Sequence, residues 1–390
     1  MPRSSGSLKV LHVLRAPVGG LFRHAVDLAQ GQVARGHQVG IIVDELTGGE
    51  GADAILAALA PSLALGLTRV PMSRHLGWRD LGAWRHVTRR LANTNADIVH
   101  GHGAKGGAYA RLTEGRAMRV YTPHGGSLHF SERSPAGMLY LQIERILEPR
   151  TELFVFESTY AERMFRARIA NPSGAVRTIY NGISTTEFTA PELGPRPSEL
   201  VFIGELRRLK GVDVLIEALG RLAHSRQPVR ASIVGEGRDA EALRTLTHKH
   251  GVAELVEFLG PLPLRRALEQ GRILVVPSLA ESLPYVVLEA AAAEIPIIAT
   301  AVGGIPEILG PLAFRLVPPG DAIALAAAIA SELANPDASR AYALTLRERV
   351  RTHFSIDTMV DEIIAAYQET RRTSTVPNGR RTKAFLKLSR

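Results

Sequence analysis

The 390-residue sequence contains no cysteine, which removes disulfides, thiolate metal sites and cysteine nucleophiles together. Aromatic residues make up only 5% and do not cluster, whereas single-stranded nucleic-acid binders stack bases on aromatics beside their basic groups. No run reaches the ~18 uninterrupted apolar residues of a membrane-spanning helix. The richest region, 273–302, is broken by Glu281, Glu289 and Glu294. The opening "MPRSSGSLKVLHVL" enters a strand pattern directly and lacks the small-residue cleavage site of a secretory leader. D-x-D, H-E-x-x-H and G-x-S-x-G are all missing. A carboxylate cage for Mg²⁺, a zinc hydrolase site and a nucleophile elbow therefore have no support. A cytoplasmic enzyme or binding protein is expected.

Hydrophobic residues account for 45% of the chain and mean hydropathy is +0.04, the profile of a globular protein. The length exceeds one ordinary core and predicts two domains. The net charge of +9 is uneven: residues 1–195 carry +6, residues 196–370 carry −4, and residues 371–390 carry seven basic and no acidic groups. Such asymmetry suits an acidic partner, whether a phosphate-bearing substrate, an anionic lipid or nucleic acid. A surface that only favours solubility accounts for the charge equally well.

Strand, loop and helix patterns repeat along the chain. "LKVLHVL" (8–14) is followed by "RAPVGG" and a helical face of Leu21, Ala25, Leu28 and Ala29. Further apolar runs occupy 37–44, 97–100, 119–122, 153–156 and 176–180. "TEFTAPELGPRPSE" (186–199) concentrates proline without apolar periodicity and reads as a linker. The alternation then restarts, with strand runs at 200–206, 229–237, 256–260, 272–278 and 295–300. This predicts an α/β fold of two doubly wound, Rossmann-like domains facing across a cleft. The expected divisions are 1–190, 191–352, a helix at 353–370 returning to the first domain, and a basic tail at 371–390.

Several motifs fall where strands end. "GHGAKG" (101–106) formally matches the dinucleotide-binding glycine pattern, but follows a middle strand, and the next strand ends in "YTPHGG" rather than an acidic residue; NAD is not expected. Gly19 and Gly20 let backbone N–H groups approach an anion at a helix start, although a plain tight turn needs the same residues. Arg207, Arg208 and Lys210 in "GELRRLKG" suit a phosphate clamp, or an ordinary charged loop. In "ESLPYVVLE", Pro284 is expected at the first helical position. Glu281 would then precede the helix beside the Ser282 and Leu283 amides, with Glu289 inside it. Carboxylates accept hydrogen bonds from sugar and ribose hydroxyls, so each glutamate could hold one diol. His124 suits proton transfer or phosphate contact, or a structural bond to a backbone carbonyl.

Taken in order, "RAPVGG", "YTPHGG", "IYNGI" (179–183), "GELRRLKG", "VGEG" and "ESLPYVVLEAAAAEIPIIATAVGGIPEIL" closely resemble glycosyltransferase family 4 on the GT-B fold, across about residues 8–370. The resemblance implies a retaining transferase binding a nucleotide sugar mainly through its second domain, with no metal or other cofactor. It assigns Glu281 to the donor sugar, Glu289 to the ribose, and Lys210 and the Gly20 backbone to the diphosphate. It sets His124 facing the sugar or its phosphate, with Leu283 also on the donor side. Glu205 stands where many members carry a phosphate-binding arginine, which leaves Arg207 or Arg208 as substitutes. A UDP-sugar donor, a glycan or lipid-linked acceptor and an anionic membrane surface are the expected partners, without nucleic acid, in cell-envelope polysaccharide synthesis. The alternatives are a sugar-nucleotide 2-epimerase of the same fold and a non-catalytic basic binding protein.

Overall fold

The computed structural model describes residues 6–74, 76–129 and 134–374. In the first domain the short apolar runs become strands β1 (Lys9–Leu14), β2 (Gln38–Asp44), β3 (Gly66–Val70), β4 (Ile98–His102), β5 (Met118–Thr122), β6 (Leu153–Phe156) and β7 (Ala175–Thr178). They form one parallel sheet of order β3-β2-β1-β4-β5-β6-β7. The second domain contains β8 (Ser198–Ile203), β9 (Ala231–Val234), β10 (Val256–Gly260), β11 (Gly271–Val276) and β12 (Ile297–Ala299), parallel and ordered β10-β9-β8-β11-β12. Helices cover both faces, so the central strands are buried on each side and read as continuous apolar runs rather than alternating ones. β3 escapes that signal because it is an edge strand, with only Val70 of its residues buried. In both sheets the strand order reverses beside the first strand, opening a crevice at the carboxyl ends of β1 and β4, and of β8 and β11.

The chain runs from Phe188 to Pro197 without helix or strand, as the proline-rich composition there predicts. The helix Pro336–His353 buries Tyr342, Leu346 and Val350 in the second domain's core. A bridge between Ile183 and Ser355 then carries the chain back. The closing helix packs Met359, Val360, Ile363 and Tyr367 among Val10, Leu28, Val120 and Leu153 of the first domain. This helix spans Ile356–Ser374, later at both ends than the predicted 353–370: the bridge at Ser355 precedes its start, and beyond Tyr367, the last apolar contact, Thr370 is buried and Arg371 binds the first domain. The basic segment therefore begins as helix, and Arg371 is committed to an ion pair with Asp97 at 2.8 Å; residues 375–390 lie outside the described residues. Among the described residues, no helix is long and apolar enough to cross a membrane.

The glycines of "GHGAKG" serve packing. A Cβ on Gly106 would stand 2.4 Å from the Val13 carbonyl oxygen, so only glycine lets the helix Gly103–Leu112 lie this close to β1.

Candidate active site between the domains

On the second domain's side, β8 and β11 each end in a loop that brings one charged group to the crevice. The turn Arg208–Lys210 follows β8, and Lys210 Nζ donates to Glu281 Oε1 at 2.6 Å. Glu281 also accepts from the Ser278 hydroxyl at 2.7 Å. Its carboxylate is buried yet charge-matched. Pro284 differs from expectation: it is the cap, and the helix is Tyr285–Ala292. Its ψ of 123° keeps it extended and leaves Tyr285 as the first helical residue. Leu283 is buried, and its carbonyl accepts from Asn181 Nδ2 of the first domain at 3.0 Å.

Glu289, about one turn into that helix, is ion-paired with Arg23 from the helix Gly19–Ala34 of the first domain. Arg23 also binds Glu187 at 2.6 Å and lies 4.6 Å from the Tyr285 ring centroid. Gly20, one turn earlier, is close enough that a Cβ would touch the Tyr285 ring at 3.2 Å. The helix start predicted to face an anion thus abuts the helix Tyr285–Ala292 of the other domain. Arg207 pairs with Glu205, Nε to Oε2 at 3.1 Å, so the glutamate at the expected arginine position neutralises the first of its two substitutes. Arg208 donates its backbone N–H to Asp239 at 2.7 Å, and its guanidinium has no partner among the described residues.

On the first domain's side, His124 follows β5 in left-handed backbone, φ 50°, a conformation uncommon for a non-glycine residue. Its Nε2 meets His102 Nδ1 at 3.1 Å rather than a backbone carbonyl. Behind it lie His12, His24 and His100, all buried. Burial lowers the pKa of all five rings, with His12 and His24 brought to about 4, so the group is neutral at physiological pH. Glu157, next after β6, accepts from the Ser282 hydroxyl across the crevice. Burial raises its pKa, partly offset by the Ser282 bond and by the His124 and Gly125 backbone amides. Glu307 of the second domain accepts the Thr159 and Tyr160 N–H groups at 2.8 Å each, capping a first-domain helix.

The structure thus brings Glu281, Lys210 and Leu283 together on one wall. The helices that carry Glu289 and Gly20 meet across the interdomain seam, through Arg23 on Glu289 and Gly20 on Tyr285, and His124 stands on the first domain's side. Carboxylates beside an ammonium can hold a polyol attached to phosphate, the former accepting hydroxyls and the latter neutralising anionic oxygens. Sequence reasoning missed Arg23, Glu157, Asn181 and the inner histidines. One signal was available: His100 and His102 alternate on one face of β4, and His12 is in register with His100.

Comparisons with known proteins agree with this fold. Residues 18–187 match the family described as Glycosyltransferase Family 4, and residues 197–335 match Glycosyl transferases group 1. EpsD of Bacillus subtilis, assigned as a glycosyltransferase, is 30% identical over 286 residues, 67% of this chain and 74% of that protein. Glycogen synthase of Mycobacterium tuberculosis is 26% identical over 395 residues, covering 93% and 94% of the two chains. Among solved structures, Anabaena HepE in complex with UDP-glucose superposes with a TM-score of 0.74 at 18% identity, over 93% of this chain and 100% of that one.

Proposed function

Because the chain belongs to glycosyltransferase family 4, we propose that it transfers a sugar, with retained configuration, from a UDP-sugar to a glycan or lipid-linked acceptor of the cell envelope. The observation that carries the reading is Lys210 beside Glu281 at the ends of β8 and β11, facing the crevice. Similarity to a structure holding UDP-glucose supports the choice of base and sugar class. Glu281 accepts the donor sugar's hydroxyls, and Glu289 takes the ribose diol once Arg23 yields it. Lys210 and the amides near Gly20 and Leu283 hold the diphosphate. As the bond from the anomeric carbon to phosphate breaks, its electron pair moves to the leaving diphosphate. A fixed ammonium and helix-start amides aimed there stabilise that charge. The acceptor oxygen forms the new bond and gives its proton to an oxygen of the leaving diphosphate, while closure of the domains excludes competing water.

A panel of nucleotide sugars tests this. A donor at about 100 times its Kd stabilises the fold by about 2.7 kcal/mol, so one sugar nucleotide should raise Tm clearly above the others and release nucleoside diphosphate slowly without acceptor. Turnover should survive excess EDTA, because cationic side chains rather than a metal hold the phosphates. Full loss in EDTA, restored by Mg²⁺ or Mn²⁺, would show that reading wrong.

Membrane association follows from charge. Each Lys or Arg near an anionic surface contributes about 1 kcal/mol, and residues 371–390 carry seven, of which Arg371 is already paired. Flotation with anionic liposomes should recover the protein at low salt, weaken in high salt and drop on deleting residues 375–390. Equal recovery with neutral vesicles would favour a soluble acceptor.

A further inference from the structure

Five histidine rings of the first domain, His12, His24, His100, His102 and His124, lie in one continuous group with neighbouring centroids 4.0 to 5.7 Å apart. Hydrogen bonding decides which nitrogens keep a lone pair. Gln32 Oε1 only accepts, so His12 Nε2 donates to it at 2.9 Å and His12 Nδ1 is an acceptor. His102 Nε2 therefore donates to His12 Nδ1 at 3.0 Å, which leaves the lone pair of His102 on Nδ1. His24 Nδ1 donates to Asn181 Oδ1 at 3.0 Å; the amide is oriented by its own N–H bond to the Leu283 carbonyl. The lone pair of His24 is then on Nε2, which is buried and has no partner.

A ring nitrogen from each of His24, His102 and His124 lies within 4.8 Å of the other two. One N–H, on His124 Nε2, faces the His102 lone pair at 3.1 Å, and no donor answers His24. Leaving such a group unsatisfied costs about 1–3 kcal/mol. The adjoining trio of His12, His100 and His102 differs, because every nitrogen there is engaged; His100 binds Tyr367 and Thr122 at 2.6 and 2.8 Å. We propose that His24, His102 and His124 form a binding site for one divalent transition-metal ion of the zinc class.

In that site the His124 proton moves to Nδ1, and the ion takes the place it held between His124 and His102. Three neutral imidazoles select Zn²⁺, Co²⁺, Ni²⁺ or Cu²⁺ over Mg²⁺ and Ca²⁺, which want oxygen ligands. Asn181 and His12 serve as the outer partners that fix tautomer and ring direction. Bonds of about 2.0–2.1 Å draw tetrahedral nitrogens to about 3.4 Å apart, so the three rings close slightly around the ion. Entry is from the crevice, towards which His124 is the one of the three that is not fully buried. Occupation takes His124 away from the donor sugar, so the ion inhibits transfer; that half of the proposal rests on the glycosyltransferase reading.

Co²⁺ added to tag-free full-length protein should give the strong visible absorption of a tetrahedral site at one equivalent, bleached by Zn²⁺ and unaffected by Mg²⁺. His24→Ala and His24→Gln should both lose the absorption, each checked for an unchanged cooperative unfolding transition. Asn181→Ala, which keeps all three ligands, should weaken Co²⁺ binding about 10-fold. No absorption in the wild type, or an unchanged spectrum in folded His24 variants, would overturn the site. Zn²⁺ should also suppress nucleoside diphosphate release from UDP-glucose. Binding without suppression overturns the inhibition alone. A wild type inactive towards every sugar nucleotide instead fails the transferase reading, while the spectrum still decides the site.

Discussion

Lys210→Ala should lower kcat by about 10²–10³-fold, the scale set by removing one preorganised donor from a developing oxyanion. The ammonium has three N–H donors, of which one is held by Glu281 at 2.6 Å. Two remain for oxygens of the leaving diphosphate, whose negative charge grows only as the glycosidic bond breaks. The loss should therefore fall mainly on kcat and less on KM. Lys210→Arg should recover little, because a planar guanidinium paired with Glu281 presents its remaining donors in another plane. Steady-state kinetics with a saturating donor checks both variants, with Tm recorded to separate folding from chemistry. A kcat within threefold of wild type would remove Lys210 from the phosphate site.

Glu281→Ala should lower kcat/KM by about 10²-fold or more, since each hydrogen bond to a charged group is worth about 1.5–3 kcal/mol and a sugar diol offers two. The variant also strands Lys210, so Glu281→Gln is the cleaner probe: it keeps the shape and an acceptor oxygen while removing the charge that Lys210 and Ser278 now share. The glutamine variant should lose less than the alanine one. Because the two residues touch, the double variant with Lys210→Ala should fall short of the product of the single losses. Wild-type kcat/KM in Glu281→Ala would sink the sugar-holding role, and strict additivity would separate the two residues' roles.

Glu289 illustrates how a motif can be read correctly in place and incompletely in company. Its position inside the helix after "ESLP" followed from proline and helical periodicity. Its partner, Arg23, is 266 residues away in sequence and comes from the other domain. Nothing local to either residue encodes that meeting. Arg207 gives the converse case, where the structure ties a proposed phosphate ligand to its near neighbour Glu205. That pair was open to inference from spacing alone.

The sequence by itself determined the two parallel α/β domains, the linker between them, the helix that returns to the first domain and the strand-end loops that carry Lys210, Glu281 and His124. These follow from short-range physics: apolar runs bounded by glycine and proline, helical periodicity, and loops at carboxyl strand ends. Edge strand β3 lacked such a run, and the closing helix outlasted its pattern because contact with another element sustained it. Only the tertiary structure decided the hydrogen bond of Glu157 to Ser282, the Arg23–Glu289 pair and the meeting of His24, His102 and His124. Each joins groups from separate strands, helices or domains, and their contact depends on sheet order and domain placement, which long-range packing sets.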